Sequence, residues 1–305
     1  MSERVTLVTG ANGFVGRGVC RALAATGTAL LAADIGFDVG MPVIDGMRRV
    51  TCNVTDIDAV QRLFATNAIE RVVHGGAISG PMLARDDPHK VHRVNAMGTL
   101  HLLESARVHG SRRFLLLSSI AAYGDHPTLA PVDEHAPLLA TEPYGASKVA
   151  AERFALSYRE SFSMEIAALR LASVYGAGRR SPCLVQSLVD ATIPGAKPVP
   201  VSASPASIRQ LLHVDDCVDS ILCALEAPTL GQFAYNIANG VVSESDLLRH
   251  VTDAFGPPAV EIIDSPRLFD GHLGPLTTGA ARRDLGFRAR ISVMVGVMRL
   301  DATEG

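Results

Sequence analysis

Short apolar runs alternate along the chain with longer segments in which apolar residues recur every three or four positions. The runs are rich in β-branched residues and predict buried strands, whereas the longer segments have the period of amphipathic helices. Within residues 1–120 the predicted strands cover residues 5–9, 29–34, 49–53, 71–74 and 114–117. Alternation of strand and helix is typical of a sheet covered on both faces, so the pattern predicts an α/β fold with a doubly wound parallel sheet.

The longest helical segment predicts a helix over residues 88–109. Its apolar face would be formed by Val91, Val94, Met97, Leu100, Leu102 and Leu103. A shorter helix is predicted after residue 56, where either Thr55 or Asp56 is placed to cap the first turn.

The first predicted strand ends in a glycine-rich turn. Glycines stand at positions 10, 13 and 16, and an apolar helical pattern begins at Val15. In a dinucleotide-binding turn the first glycine permits the tight bend, the second lets the backbone approach a pyrophosphate, and the third lets the helix pack against the strand. Phosphates then lie at the helix N-terminus, where free N–H groups and the helix dipole favour negative charge. The turn therefore predicts a Rossmann-type dinucleotide site.

The second predicted strand ends on Asp34, roughly 20 residues after the glycines, where a ribose-binding carboxylate is expected. A carboxylate there accepts hydrogen bonds from both ribose hydroxyls of NAD, and its charge repels the 2′-phosphate of NADP. We therefore predict NAD as the cofactor. Arg17 directly follows the last glycine; we interpret it as a solvated residue of the first helical turn, with contact to a phosphate as the alternative.

Candidate catalytic residues follow the fifth predicted strand. This strand ends in Ser118 and Ser119, and a later helix opens with Tyr144 and Lys148 one turn apart on a shared face. A phenol with an ordinary pKa of about 10 is a poor base at neutral pH, so proton transfer requires a nearby ammonium that stabilises the phenolate. Ser119 is placed to bond the substrate oxygen and to hold it beside the phenol.

Composition narrows the class of protein. The chain has 305 residues, 48% of them hydrophobic, which suffices for one large α/β unit with an added lobe. The net charge of −3 and the scattered basic residues argue against a nucleic-acid partner. The five cysteines have no metal-ligand spacing and predict reduced thiols, and no apolar run approaches the length of a membrane span. We therefore expect a cytoplasmic protein without a metal site or a membrane partner.

Eight short motifs are spread over nearly the whole chain. In order they are Thr9-Gly10-Ala11-Asn12-Gly13-Phe14-Val15-Gly16, Val94-Asn95-Ala96-Met97-Gly98-Thr99, Ser118-Ser119-Ile120-Ala121-Ala122-Tyr123-Gly124, Tyr144-Gly145-Ala146-Ser147-Lys148, Leu169-Arg170-Leu171-Ala172-Ser173-Val174-Tyr175-Gly176, His213-Val214-Asp215-Asp216-Cys217-Val218, Tyr235-Asn236-Ile237-Ala238 and Ala281-Arg282-Arg283-Asp284-Leu285-Gly286-Phe287. Together they resemble the motifs of the extended short-chain dehydrogenase/reductases, also called the NAD-dependent epimerase/dehydratase family.

The resemblance implies a role for each matching residue. Tyr144 would be the acid/base, Lys148 would lower the pKa of the phenol and bind the nicotinamide ribose, and Ser119 would orient the reacting oxygen, while the cofactor carries the hydride. The implied cofactor-binding residues are Gly10, Gly13, Phe14, Val15, Gly16, Asp34, Asn53, Val54, Gly75, Gly76, Ala77, Asn95, Tyr144, Lys148 and Val174. The implied substrate-binding residues are Ser79, Ser119, Ser173 and Arg209. The family usually has Asp where Asn53 stands, so we expect a weaker adenine contact or one with a reversed donor.

The domain organisation implied for the chain has two parts. Residues 1–178 would form a NAD-binding Rossmann domain to which residues 209–238 return, and residues 179–208 and 239–305 would form a small α+β substrate-binding lobe. The resemblance also implies a homodimer formed through the helices that begin near Pro88 and Tyr144, for which core packing is the alternative. The substrate would be a small molecule: a carbohydrate, a sugar acid or a sugar nucleotide.

Departures from the family pattern bear on the reaction. Dehydratases and decarboxylases of the family place acidic residues just after the serine, whereas Ile120, Ala121 and Ala122 are apolar, so we expect neither reaction. Epimerases commonly carry Asn near the position of Ser173 and a glycine in the loop before Arg209, and this chain has neither. Arg209 is predicted to pair with a diphosphate or a sugar-acid carboxylate, with a surface position on a strand as the alternative.

Three functions remain open from the sequence. The first is an NAD-dependent oxidoreductase that transfers a hydride at a secondary alcohol or ketone carbon of a carbohydrate or related small molecule. The second is a UDP-hexose 4-epimerase that retains NAD, and the third is an NAD-sensing binding protein. A sensor has no use for Ser119, Tyr144 and Lys148, which argues against the third. We favour the first because of Ser173 and the missing glycine.

Overall fold

The computed structural model describes residues 4–38, 44, 46–80, 83–84, 86–204, 207–263 and 273–301. The strands of these residues are β1 (Val5–Thr9), β2 (Leu30–Asp34), β3 (Met47–Thr51), β4 (Ile69–His74), β5 (Arg113–Ser119), β6 (Glu165–Leu171), β7 (Ser173–Tyr175), β8 (Val199–Ser202), β9 (Ile208–His213), β10 (Ala234–Ile237), β11 (Val241–Ser243) and β12 (Val260–Ile263). The α-helices are α1 (Phe14–Ala25), α2 (Ile57–Ala65), α3 (Pro88–His92), α4 (Gly98–Val108), α5 (Pro143–Phe162), α6 (Leu184–Asp190), α7 (Val214–Glu226), α8 (Glu244–Phe255), α9 (Gly279–Leu285) and α10 (Val293–Val297).

Seven strands form one parallel sheet in the order β3-β2-β1-β4-β5-β6-β10. The predicted doubly wound parallel sheet is confirmed. The strand order reverses between β1 and β4, so the carboxyl ends of these two strands border a crevice of the kind in which α/β proteins bind ligands. A three-stranded sheet, β11-β9-β7, and a parallel pair, β12-β8, accompany the main sheet.

The predicted strands have the expected positions, with shifted ends. β4 begins at Ile69 instead of residue 71, and β3 covers Met47–Thr51 instead of residues 49–53. β5 runs on through Ser119, so the candidate serine is the last residue of the strand. Of the two predicted caps for α2, the carboxylate of Asp56 is the one that accepts a hydrogen bond from a first-turn backbone N–H group, at 3.0 Å.

The helix predicted over residues 88–109 is present but not uniform. Between α3 and α4, Arg93–Met97 form one π-helical turn. Such a turn accommodates one extra residue and is frequent at functional sites. Met97, which was predicted on the apolar face, is 42% exposed. The prediction for Met97 is wrong because the wider turn rotates the helix surface away from the regular α-helical period.

Two apolar layers cover the faces of the main sheet. Phe114 and Leu116 of β5 lie in one layer with α2, α4 and α5, and Leu115 and Leu117 lie in the other with α1 and α7. Since both faces are buried, the strand is a continuous apolar run without polar alternation. A third, separate core has most of its members in the predicted lobe segments; they include Tyr175, just before these segments, and Leu188, Val201, Leu247, Val251 and Val297 within them.

The C-terminal part of the chain contributes to two of these cores. Ala281 and Leu285 of α9 pack in the layer that contains α7 and β10, whereas α6, α8 and α10 contribute to the core of the lobe. The predicted lobe segment 239–305 therefore includes a helix that covers the main sheet. The division at residues 178 and 238 stays a prediction, and residues 264–272 and 302–305 lie outside the described residues.

A buried arginine anchors the first residue of β5. The guanidinium of Arg113 donates to both carboxylate oxygens of Glu165, at 2.9 and 2.5 Å. It also donates to the backbone carbonyls of Ala224 and Leu225, at 2.9 and 2.7 Å, near the end of α7, where helical carbonyls lack helical partners. Because the opposite end of β5 carries Ser119, this anchor helps to fix the strand on which the candidate site is built.

Replacing this anchor tests its contribution to stability. We expect Arg113→Met to lower the free energy of unfolding by about 2–4 kcal/mol, because two carbonyls and a partly buried carboxylate lose their donor. Urea denaturation followed by far-ultraviolet circular dichroism measures the change. The matched control is Arg112→Met, at the exposed neighbouring position, for which we expect a change within about 0.5 kcal/mol. Equal losses in the two variants would contradict the anchoring role.

Candidate active site

One large cavity of about 2130 Å³ runs along the carboxyl edge of the main sheet and into the lobe. The predicted cofactor residues that line it are Gly10, Gly13, Phe14, Val15, Gly16, Asp34, Asn53, Val54, Gly75, Gly76, Ala77, Tyr144, Lys148 and Val174. The predicted substrate residues that line it are Ser79, Ser119, Ser173 and Arg209. Of the predicted site residues, all of which are described, Asn95 alone lies behind this lining. The fold thus brings motifs from distant parts of the sequence to one cavity.

The glycine turn brings backbone segments closer together than side chains would allow. Gly10 has a φ of +70°, and a Cβ there would lie 2.6 Å from the carbonyl carbon of Gly75, just after β4. A Cβ on Gly16 would collide with the carbonyl oxygen of Gly10. The N-terminus of α1 therefore sits against the cavity, and no side chain among the described residues caps it at Gly13. Its first-turn N–H groups remain for a ligand, and a pyrophosphate suits them.

The carboxylate of Asp34 faces the cavity at the end of β2. One oxygen accepts a hydrogen bond from the backbone N–H of Asn12, at 2.8 Å, and the other from that of Ile35, at 2.7 Å. The contact with Asn12 ties this carboxylate to the glycine turn, so the two are positioned together. A carboxylate has about four acceptor sites, so sites remain for two ribose hydroxyls.

A second carboxylate, Asp38, lies beside Arg17 at the same end of the cavity. Arg180 donates to Asp38 at 2.6 Å, and Arg17 pairs with it as well. Hydrogen bonds from Arg180 and Arg17 hold the pKa of Asp38 at about 2. Arg17 also donates to the backbone oxygen of Asn12 at 2.8 Å. The prediction of a freely solvated Arg17 is therefore wrong, because this guanidinium is bound to the glycine turn and to Asp38.

Asn95 does not line the cavity, but it holds a loop that does. It lies in the π-helical turn, and its side chain clamps the backbone of Ile78: the amide donates to the carbonyl at 3.0 Å and its oxygen accepts from the N–H at 2.8 Å. The same amide group donates to the hydroxyl of Ser147 at 2.9 Å. Asn95 thus joins the loop after β4 to α5 and shapes the cofactor side of the cavity without lining it.

The three predicted catalytic residues meet where α5 faces the end of β5. The carboxylate of Glu142 caps the helix by accepting from the backbone N–H groups of Tyr144 and Gly145, at 3.0 and 2.6 Å. This cap fixes the first turn, and the phenol of Tyr144 lies within reach of the side chain of Ser119. The ammonium of Lys148 is buried and lies 5.9 Å from the centre of the Tyr144 ring.

Burial governs the protonation of this pair. Loss of solvent raises the pKa of Tyr144, and the hydrogen bond with Ser119 opposes that rise. Burial lowers the pKa of Lys148 to about 8, and the carboxylate of Glu152 opposes that fall. The phenol therefore holds its proton in this state. A further positive charge in the cavity would favour the phenolate, since opposite charges stabilise each other.

His74, at the end of β4, is a core residue and not a ligand-facing group. Its ring nitrogens hydrogen-bond the hydroxyls of Thr9, at 2.7 Å, and Thr99, at 2.9 Å. Burial, and to a smaller extent the charge of Lys148, lowers the pKa of His74 to about 3.

The substrate candidate Arg209 lies in the three-stranded sheet β11-β9-β7. Arg209, on β9, lines the cavity and is 6% exposed, so the alternative of a surface position is wrong. Its guanidinium donates to the carboxylate of the buried Glu244 at 2.9 Å, and that carboxylate also accepts from the backbone N–H of Ser202 at 2.8 Å. The pair lies at the first residue of α8, where a carboxylate is favoured by the helix dipole.

Sequence reasoning missed several residues at or behind the cavity. Lys197 lines it from a loop whose local pattern carries no signal of a site. Glu152 and Arg170 form a buried ion pair behind the catalytic residues. Glu152 stands four residues after Lys148, and this spacing on one helix face was the signal that would have pointed to it.

Among the residues that the structure describes, no helix has both the length and the apolar character that a membrane span requires. Within the same residues, no cluster of three or more His, Cys, Asp and Glu side chains is arranged to hold a metal ion. All five cysteines are free thiols, and Cys20, Cys52 and Cys217 are buried.

Known proteins resemble this chain over nearly its full length. UDP-glucose 4-epimerase of Mycolicibacterium smegmatis is 27% identical, with 96% of each chain covered. dTDP-glucose 4,6-dehydratase of Streptomyces antibioticus is 29% identical, with 96% of this chain and 90% of the relative covered. The solved structure of MoeE5 in complex with UDP-glucuronic acid and NAD has a TM-score of 0.83 at 26% identity, and covers 96% of each chain.

The family assignment rests on a match that spans more than half of the chain. The model of the NAD dependent epimerase/dehydratase family matches residues 6–238, from the first strand through the last strand of the main sheet. The matched segment contains the glycine turn, the carboxylate of Asp34, and the serine, tyrosine and lysine that meet in the cavity. The chain belongs to the NAD-dependent epimerase/dehydratase family and is an enzyme of that family.

Proposed function

We propose that this enzyme transfers a hydride between NAD and an oxygen-bearing carbon on the sugar of a nucleotide sugar, and that the net reaction is epimerisation. The observation that carries the proposal is the meeting of Tyr144 and Lys148 with Ser119 in a single cavity. That cavity also contains the glycine turn at one side and basic side chains of the lobe at the other.

Tyr144 is the residue that moves the proton. When bound, NAD supplies the hydride acceptor and a positive charge near the phenol. Tyr144 then accepts the proton of the substrate hydroxyl, and it returns a proton when the resulting ketone is reduced. Ser119 donates a hydrogen bond to the same oxygen and keeps it beside the phenol, while Lys148 stabilises the phenolate and would help to hold the nicotinamide ribose.

Residues at the glycine turn and at the ends of β2 and β3 would hold NAD. The first-turn N–H groups of α1 suit the pyrophosphate, and Asp34 suits the adenosine ribose. Asn53 accepts hydrogen bonds from the backbone N–H and the hydroxyl of Thr55, both at 3.0 Å, through its side-chain oxygen. Its NH₂ group is then the part that meets adenine, which supports a reversed donor where the family usually has Asp.

An anionic substrate suits the lobe side of the cavity. Arg179, Lys197 and Arg209 line it there, and cations of this kind bind diphosphates and sugar-acid carboxylates. The pairing of Arg209 with Glu244 reduces its net charge but fixes the direction of its guanidinium. The relatives named above act on or bind UDP- and dTDP-sugars, which supports a nucleotide sugar.

The side chains near the phenol favour epimerisation over dehydration. Elimination of water needs an additional acid/base group, and the residues that follow Ser119 are apolar. Both carboxylate oxygens of Glu142 accept backbone N–H groups at the start of α5, so this nearby acid serves as a helix cap. Net oxidation or reduction is the second candidate, favoured by Ser173 at a position where epimerases commonly have Asn.

The assembly and location of the enzyme are further parts of the proposal. A homodimer would pair α4 and α5 with their copies, and the half-exposed Met97, Val108 and Phe162 on or beside these helices support such a face. Five free thiols suit a reducing compartment, so we expect the cytoplasm.

A cofactor-free assay separates the candidate reactions. Purified enzyme incubated with UDP-glucose, UDP-glucuronic acid or dTDP-glucose, with no cofactor added, is expected to convert one of them into its epimer without a lasting rise in NADH absorbance. The hydride returns to the substrate, so no NADH accumulates. Proton NMR of the product identifies the inverted carbon. Stoichiometric NADH that appears only with added NAD would favour net oxidation, and conversion of none of the three sugars would contradict the proposed substrate class.

Removal of the phenol hydroxyl tests the acid/base assignment. Tyr144→Phe is expected to lower turnover by about a hundredfold or more, since general acid–base catalysis contributes at least that much, and to leave NAD affinity nearly unchanged. The matched control is Tyr158→Phe in the same helix, whose hydroxyl bonds Glu104 at 2.9 Å outside the cavity lining. Steady-state rates and NAD titrations measure both. Turnover that is equally reduced, or equally preserved, in both variants would remove Tyr144 from the mechanism.

Neutralising the ribose carboxylate tests cofactor selectivity. Asp34→Asn is expected to weaken NAD binding by about tenfold or more, because hydrogen bonds to a charged acceptor are lost, and to weaken NADP binding less. Calorimetric titration with each cofactor measures the two affinities. Asp58→Asn, on the exposed first turn of α2, is the control and should change neither. A larger loss for NADP than for NAD would overturn the assignment.

A further inference from the structure

Behind the candidate catalytic residues, α5 and the end of β5 are joined at successive points. The ammonium of Lys148 donates to the carbonyl of Leu117 at 2.8 Å. One turn later, the carboxylate of Glu152 accepts a hydrogen bond from the hydroxyl of Ser118 at 2.5 Å. Tyr144, Lys148 and Glu152 are spaced four residues apart, so one face of the helix presents all three to the strand.

Glu152 is held in place by an arginine from the next strand. Arg170, on β6, donates to the two carboxylate oxygens of Glu152 at 2.7 and 3.1 Å, and it lies opposite Ser118 in the register of β5 and β6. The same guanidinium donates to the hydroxyl of Tyr123 and to the carbonyl of Glu134, both at 2.9 Å. Glu152 is 1% exposed and Arg170 is 4% exposed. The position of the carboxylate is therefore fixed from two strands.

A fully buried ion pair is a poor way to stabilise a core. The cost of removing both charges from water often exceeds their attraction, and apolar residues of the same volume do as well or better. The location of this ion pair suggests another role. The carboxylate lies one helical turn beyond the buried Lys148, and it is the charged group that opposes the effect of burial on that ammonium.

The other titratable groups near Lys148 do not supply a compensating negative charge. On α5, the phenol of Tyr144 holds its proton in this state. On β4, burial keeps His74 neutral above about pH 3. On β5 the contact is the neutral carbonyl of Leu117, and on β6 Arg170 is a cation. Among the described groups that face Lys148, Glu152 is thus the anion.

We propose that Glu152 is a positioning residue for Lys148: its carboxylate, fixed by Arg170 and Ser118, keeps the buried ammonium charged at neutral pH and directed at the cavity. The proposal rests on the proposed function in so far as Lys148 serves the phenol of Tyr144. The charge on Lys148 itself can be measured without any substrate.

The sign of the expected pH effect follows from the environment of Lys148. Burial lowers its pKa to about 8, and the carboxylate of Glu152 raises it against that effect. Without the carboxylate the pKa falls further, so the ammonium is lost on approach to neutral pH. If activity depends on the ammonium, its decline on the alkaline side of the pH profile then begins at a lower pH than in the enzyme that retains the carboxylate.

The composition of the chain makes a direct measurement practical. It contains three lysines, Lys90, Lys148 and Lys197, and the other two are exposed. Lysine labelled with ¹³C at Cε therefore gives three signals in the full-length protein saturated with NAD, and Lys148→Arg identifies the signal of interest. The pH titration of that signal reports the pH at which half of the Lys148 side chains have lost their proton, which is the Lys148 midpoint.

Four variants separate charge from packing. We expect Glu152→Gln to lower the Lys148 midpoint by about one pH unit or more, because an opposite charge one helical turn away in the same buried region favours the ammonium. Ser118→Ala removes a hydrogen bond to the carboxylate but keeps its charge, so the midpoint should stay near that of the wild type. Glu160→Gln, on the exposed surface of α5, is the matched control and should also leave it in place. The double variant Glu152→Gln/Arg170→Gln leaves no cation without its partner and should still show the lowered midpoint; it replaces the single variant if that one fails to fold.

An unchanged midpoint in the folded Glu152 variants would overturn the proposal, and so would an equal fall in Ser118→Ala, which would indicate general loosening. The pH profile of turnover gives a second readout, in which the alkaline limb of Glu152→Gln should move to lower pH by the same amount. A lowered NMR midpoint in an enzyme that converts none of the nucleotide sugars would uphold the role of Glu152 and reject the proposed substrate. An unchanged Lys148 midpoint in the Glu152 variants of an enzyme that epimerises a nucleotide sugar would reject the role of Glu152 and uphold the proposed function.

Discussion

The close approach of backbone segments at the carboxyl edge of the sheet is the constraint on which the site depends. Gly10 leaves no room for a side chain beside Gly75, and Gly16 leaves none beside Gly10. The hydroxyl of Thr9 accepts from the backbone N–H of Gly76 at 3.2 Å, and Asp34 accepts from the glycine turn. The turn, the carboxylate of Asp34 and the loop after β4 therefore form one connected unit, and a change in any of them displaces the others.

Buried arginines hold the strands on which other candidate site residues lie. Arg113 holds the beginning of β5, Arg170 holds its end through Glu152, and Arg209 pairs with Glu244 across the junction of β9 and α8. Each of these guanidinium groups has several acceptors, which compensates part of the loss of hydration. These buried pairs hold Ser119, Lys148 and the cavity-lining Arg209 at defined positions around an open cavity.

Local patterns explain why much of this site was predictable. The glycine turn and the pair Tyr144 and Lys148 are each defined by spacing along a few residues, Asp34 is defined by its place at the end of the strand that follows the turn, and the parallel sheet brings such motifs to one edge. Partners that come from distant strands have no such signal. The carboxylate that pairs with Arg209 lies 35 positions away, and the clamp of Asn95 on Ile78 depends on a helix geometry that no α-helical period predicts.

The π-helical turn at Arg93–Met97 changes the phase of the whole helix that contains it. Each residue of an α-helix advances the surface by about 100°, so one additional residue turns everything after it by that angle relative to everything before. The segment before the turn and α4 both pack against α5, and α4 packs against α2 as well. The turn between them presents Asn95 to Ile78 in the loop after β4, a direction that a continuous α-helical stripe would not give it.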